Sequence, residues 1–178
     1  MGQDKKVYMA KIKLTICFIL FTWFTAMATL PSNGLLKIKK NSSKPKVLVF
    51  FDLGCPICID YYNDIQEIAA QYSPSYNFYL IFTYLTDKDK ILEDPICYNK
   101  NFQTFIDKRL IISKHYGVSV LPCVVVVNNR NKIQYIGLID DRFEQIGVKK
   151  SVSSNHYLLD VLNNKHHDFT VPVGCKFR

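Results

Sequence analysis

Between residues 46 and 58 the chain reads Lys-Val-Leu-Val-Phe-Phe-Asp-Leu-Gly-Cys-Pro-Ile-Cys, and this segment alone narrows the fold. Lys46 to Phe51 is a continuous apolar run, rich in β-branched and aromatic residues, behind a single lysine, as expected of a strand buried on both faces at a central sheet position. It stops at Asp52-Leu53-Gly54-Cys55. Pro56 then fits the first turn of a helix, where a missing N–H costs nothing. Tyr61, Ile65, Ile68, Ala69 and Tyr72 follow at helical spacing until Pro74. Two cysteines therefore fall at a strand-to-helix junction.

The remaining pattern continues this alternation. Residues 76–84 read as a strand, 87–100 as a short helix or loop, 101–106 as a short strand and 108–116 as a helix closed by Gly117. Cys123-Val124-Val125-Val126-Val127, a turn at Asn128 to Asn131, and Lys132 to Leu138 read as a hairpin. Residues 155–164 carry Leu158, Leu159, Val161 and Leu162 on one helical face. The order describes one compact α/β unit without internal repeats. At 178 residues the chain suits one domain.

Ahead of this unit, Lys5, Lys6, Lys11 and Lys13 precede an apolar stretch from Leu14 to Thr25 that ends in Ala26-Met27-Ala28. A basic head, a short apolar middle and a small-x-small end describe an export signal over residues 1–28, with an uncleaved membrane anchor as the alternative. Both place the domain outside the cytoplasm, in a periplasm or an equivalent extracytoplasmic space. Residues 29–45 read as a polar linker and 46–178 as the domain with its C-terminal tail. The net charge is +8, of which five remain beyond residue 28. The basic residues there are scattered apart from the linker lysines, so no nucleic-acid partner is expected. Export permits disulfides. Six cysteines are present, and the five beyond Cys17 leave at least one thiol outside any intrachain pair.

Cys55-Pro56-Ile57-Cys58 carries the chemistry. In a first helical turn residues i and i+3 share a face, so the two sulfurs can bond. Unpaired backbone N–H groups and the helix dipole favour thiolate at the first cysteine. Cys55 is the expected nucleophile, and Cys58, deeper in the helix, the resolving thiol. A structural disulfide and half of a metal site are the alternatives, although a zinc site needs two further ligands and there is no second C-x-x-C. No metal or cofactor is expected. Leu121-Pro122 lies before the Val-rich strand, and a cis proline there would leave the preceding carbonyl and N–H open to a substrate strand. Cys123 reads as a buried small hydrophobe. Cys97 and Cys175 read as inert, mutually paired or auxiliary thiols, with a return of the Cys175 tail to the active-site face as the functional option. Asp140-Asp141-Arg142 reads as a solvated turn with local ion pairing, and His115 as a packing or surface residue.

Residues 47–58, 117–122 and the following hairpin together resemble the thioredoxin-like superfamily. Within it, Cys55-Pro56-Ile57-Cys58, the segment from Tyr135 to Phe143, and the tail Thr170-Val171-Pro172-Val173-Gly174-Cys175 look like the exported redoxin group related to alkyl hydroperoxide reductase and thiol-specific antioxidant proteins. The resemblance implies a thioredoxin-like fold, with a central mixed β-sheet flanked by helices and a C-terminal extension. It also implies that Cys55 is redox-active and that Pro122 is cis. The chain departs from thioredoxins at Val49, where they carry a buried acid, and at Gly54, where they carry tryptophan. It departs from peroxiredoxins at Asp52, where they carry threonine.

The function expected is extracytoplasmic thiol–disulfide exchange with protein or small-molecule thiols and disulfides, coupled to an unidentified electron donor or acceptor. A thiol peroxidase passing through a Cys55 sulfenic acid is one alternative, against which Asp52 weighs. A non-catalytic module handling copper or another metal through the thiols is another.

Overall fold

The computed structural model describes Ile38 and residues 44–83 and 88–177. The export signal or anchor expected over residues 1–28, and most of the linker, lie outside them. Strand β1 (Lys46–Phe51) is buried along its whole length, as its unbroken apolar run requires. It pairs in parallel with β2 (Asn77–Phe82), which pairs in parallel with β3 (Phe102–Ile106). On its other side β1 pairs antiparallel with β5 (Cys123–Val127), and β5 with β6 (Ile133–Gly137). The main sheet is therefore mixed, in the order β3-β2-β1-β5-β6. Phe50 and Phe51 are both fully buried, and each contributes about 1.5–3 kcal/mol as an upper bound.

The helix expected from Pro56 to Pro74 forms as two. Helix α1 (Pro56–Asp60) and α2 (Tyr62–Tyr72) meet at Tyr61, whose φ of −85° and ψ of 0° lie in the bridge region. Its N–H is shared between the carbonyls of Ile57 and Cys58, and its buried ring is drawn toward Asp140, to which its hydroxyl donates at 2.5 Å. Helix α3 (Lys88–Glu93) and a 3₁₀ turn (Pro95–Tyr98) fill the stretch left open between helix and loop.

Helix α4 (Ile111–Tyr116) begins three residues later than the pattern suggests. Leu110 is left-handed, at φ 53°. The buried Asp107 carboxylate then accepts from the N–H groups of Ile112 and Ser113 and from the Ser113 hydroxyl. Gly117, at φ 71°, closes the helix.

Strand β4 (Val120–Leu121) lies outside the main sheet. After β6 come a small hairpin, β7 (Phe143–Gln145) and β8 (Val148–Lys149), then helix α5 (Tyr157–Leu162) and the tail. The tail ends in β9 (Cys175–Lys176), antiparallel to β4 with Leu121 opposite Cys175 and Val120 opposite Lys176. Neither β7–β8 nor β9 is foreseen by the sequence pattern.

Candidate active site

The loop from β1 to α1 is built by Asp52. Its carbonyl accepts from Cys55 N at 3.2 Å, and its side chain accepts from Gly54 N at 2.8 Å, an Asx turn that reverses the chain within three residues. Asp52 is fully buried. Cys55 is the residue before the helix, with extended backbone (φ −95°, ψ 115°), and Pro56 occupies the first helical position as its chemistry demands.

The sulfur of Cys55 is not bonded to that of Cys58. It is bonded to Cys175, with the two Cα atoms 6.1 Å apart and a sequence separation of 120. This departs from the expected Cys55–Cys58 pairing and makes the tail cysteine the structural partner. Cys58 is buried and outside any disulfide. Burial pushes its thiol up to about 12, a backbone hydrogen bond with Asp52 eases this, and the Asp52 charge adds to it. At neutral pH Cys58 is therefore a neutral thiol in the first turn of the helix that Cys55 precedes.

The peptide bond between Leu121 and Pro122 is cis. The Leu121 carbonyl oxygen stands 3.7 Å from Cys55 Sγ, and the same residue is the strand partner of Cys175. The structure thus brings Cys55, Cys58, Leu121, Pro122 and Cys175 into one neighbourhood. Cys123 is buried in β5, and burial raises its thiol to about 12. Cys97 is half-buried; burial, then the Asp94 charge, raise its thiol to about 11, and it donates to the Ile91 carbonyl at 2.8 Å. Neither joins the Cys55 cluster. Among the described residues no group of three or more His, Cys, Asp or Glu side chains could hold a metal ion.

Three contacts fasten the tail. Thr170 Oγ1 accepts from Leu138 N at 2.8 Å and bonds the Tyr135 hydroxyl, which itself donates to the Leu138 carbonyl. An added Cβ at Gly137 would collide with the Thr170 side chain and lie 2.8 Å from its carbonyl oxygen. Gly174 passes so close to β4 that any Cβ there would collide with the Leu121 carbonyl. Phe177 is buried, and its N–H donates to the Ser119 carbonyl at 3.2 Å.

The Asp140-Asp141-Arg142 segment is not a solvated turn. Asp140 is 3% exposed, and Arg142 gathers three carboxylates: Asp140 at 2.7 Å, Asp64 of α2 at 2.6 Å and Asp60 of α1 at 3.3 Å. Its guanidinium also stacks 4.3 Å above the Tyr61 ring. Burial works against the charge on Arg142, but the bonds to Asp140 and Asp64 outweigh it and raise its pKa. Burial, then the bond to Asp140, raise that of Tyr61. This cluster ties the break between α1 and α2 to the connection after β6. Asp141 accepts from the backbone N–H groups of Ser154 and Asn155 and from the Ser153 hydroxyl, and so orders that loop. Tyr61, Asp60 and Asp64 carry no sequence signal for this role beyond their charge and spacing.

No family model matches the chain, and no curated protein matches it. Solved structures do. A hypothetical protein from Sinorhizobium meliloti is 17% identical with a TM-score of 0.60, the match covering 80% of this chain and 82% of that one. The exposed lipoprotein thioredoxin of Streptococcus pneumoniae is 17% identical with a TM-score of 0.52, over 71% of this chain and 89% of that one. The N-terminal domain of PilB from Neisseria gonorrhoeae is 18% identical with a TM-score of 0.51, over 74% and 83%. In fold, with its mixed sheet, its strand-to-helix cysteine and its cis proline, the chain is thioredoxin-like.

Proposed function

We propose that the chain is an extracytoplasmic thiol–disulfide oxidoreductase in which Cys55 attacks and Cys58 resolves. The observation that carries this reading is Cys55 held in a disulfide, with the Leu121 carbonyl on its sulfur and a second thiol buried one helical turn behind it. In the reducing direction the Cys55 thiolate attacks a substrate disulfide. One substrate sulfur leaves as thiolate and takes a proton, and a mixed disulfide forms. Cys58 then loses its proton and attacks Cys55 Sγ, the second substrate sulfur leaves, and the chain retains a Cys55–Cys58 disulfide while two electrons pass to the substrate. The reverse sequence oxidises a dithiol. Leu121 and Pro122 would line the place where the substrate strand lies. The extracytoplasmic assignment rests on the signal-like residues 1–28, the linker 29–45 ahead of the domain, and the exposed location carried in the name of the pneumococcal thioredoxin.

The test is a glutathione titration of the full chain with mass-spectrometric thiol counting. In a Cys175→Ser background, a reversible two-electron couple lost on adding either Cys55→Ser or Cys58→Ser supports the assignment. A couple that survives Cys58→Ser but is lost in Cys175→Ser removes Cys58 from the mechanism.

A further inference from the structure

The tail lies along the edge of β4, pairing with Val120 and Leu121. Resting on the thiol-exchange reading above, we propose that the C-terminal strand is a resident substrate mimic: it holds the edge of β4 as an extended partner with glycine before its cysteine would, and Cys58 releases it by taking over Cys55. Three observations converge. Cys175 is bonded to Cys55 as a substrate cysteine would be in the mixed disulfide. The strand around it is antiparallel to Val120 and Leu121, so main-chain pairing supplies the grip. The side-chain positions are selective, because only glycine fits at 174 against the Leu121 carbonyl, whereas the residue two beyond the cysteine, Phe177, is buried and Lys176 between them is exposed.

The partner class that follows is an extended segment reading Gly-Cys-x-aromatic. Release is an isomerisation of disulfides without an external oxidant or reductant. The Cys58 thiol loses its proton, its sulfur bonds to Cys55 Sγ, the Cys55–Cys175 bond breaks, and the Cys175 sulfur leaves as thiolate and is protonated. The tail is then held only by its hydrogen bonds and Phe177, and an external strand can displace it.

Two measurements on the full chain test this. In the first, oxidised wild type and Gly174→Ala are acid-quenched and their disulfides mapped. The added methyl group cannot seat against the Leu121 carbonyl, so the ratio of Cys55–Cys58 to Cys55–Cys175 should rise at least tenfold. In the second, Cys175→Ser reacts with glutathione mixed disulfides of Val-Gly-Cys-Lys-Phe and Val-Val-Cys-Lys-Phe, and the glycine peptide should react at least tenfold faster. An unchanged ratio, equal peptide rates, or a Cys55–Cys175 link between two chains in place of the intrachain one would overturn the proposal. In each of those cases the exchange reading stands if glutathione still exchanges at Cys55. No exchange at Cys55 at all would overturn both.

Discussion

Removing the charge of Asp52 should accelerate Cys58. The ionisation constant of this thiol lies about a thousandfold below that of an ordinary cysteine, at about 12 against 9.0, with burial the larger cause and the Asp52 charge opposing ionisation beside it. At pH 7 about one Cys58 in 10⁵ is thiolate, and at pH 9 about one in 10³. Asp52→Asn keeps an oxygen for the Gly54 N–H, which it accepts at 2.8 Å, while abolishing the charge. Because burial remains, the substitution recovers less than the thousandfold, about tenfold in thiolate. A less basic thiolate is a weaker nucleophile, which returns about threefold of that gain, so the net rate at pH 7 should rise about threefold. The assay loads Cys55 with glutathione in a Cys175→Ser chain and follows glutathione release by rapid quench. The rate with Asp52 intact should climb about a hundredfold from pH 7 to pH 9. A flat profile would show that Cys58 is not the attacking group. A slower Asp52→Asn variant would show that the carboxylate carries the proton away rather than merely opposing its departure.

Three further outcomes follow from the fastenings and the buried groups. Gly137→Ala should drive Thr170 off β6 and destabilise the oxidised protein by about 2 kcal/mol, since φ there is 152° and Thr170 blocks the new Cβ; urea midpoints would measure it. Arg142→Met should cost about 3 kcal/mol by leaving the 3% exposed Asp140 without its cation, and the loss should shrink in the Arg142→Met, Asp140→Asn double variant. Cys58 and Cys123 each have a folded pKa of about 12 against 9.0, so their contribution is complete below pH 9 and is lost as pH rises toward 12. Unfolding free energies from urea titration should therefore fall between pH 8.5 and 10.5, and in Cys123→Ala the fall should be shallower by about 1 kcal/mol per pH unit, from a lower starting stability.

The centre of the main sheet was legible in the sequence because β1, β2 and β5 are buried on both faces. Lys46–Phe51 and Cys123–Val127 are unbroken apolar runs that have no other way to fold. The junction at Cys55 was legible because a buried strand's end and a proline at the first helical position are local chemistry, whereas the Asx turn of Asp52 between them was not foreseen. What escaped the sequence is whatever depends on distant partners. Helix α1 ends early because Tyr61 is claimed by Asp140, 79 residues on, and helical spacing carries no trace of that. The two-residue strand β9 has no periodicity to read, and its place is set by Gly174, Thr170 and Cys175 meeting residues 32–120 positions away. The Cys55–Cys175 bond was within reach only as an option for the tail, because six cysteines do not declare their pairing.

The bond from Cys55 to Cys175 also closes the chain into a ring that begins at the end of β1 and includes every later strand and helix. A load applied between the two ends of the domain passes through β1 and across the sulfurs; it shears β1 from β2 and β5, while the rest of the chain inside the ring is bypassed. The oxidised domain can be stretched by little more than the few residues outside the ring. Reduction at Cys55, or transfer of its sulfur to Cys58, puts the chain across that separation of 120 back under tension and adds roughly 400 Å. A single-molecule pull would thus read which sulfur holds Cys55 as a length.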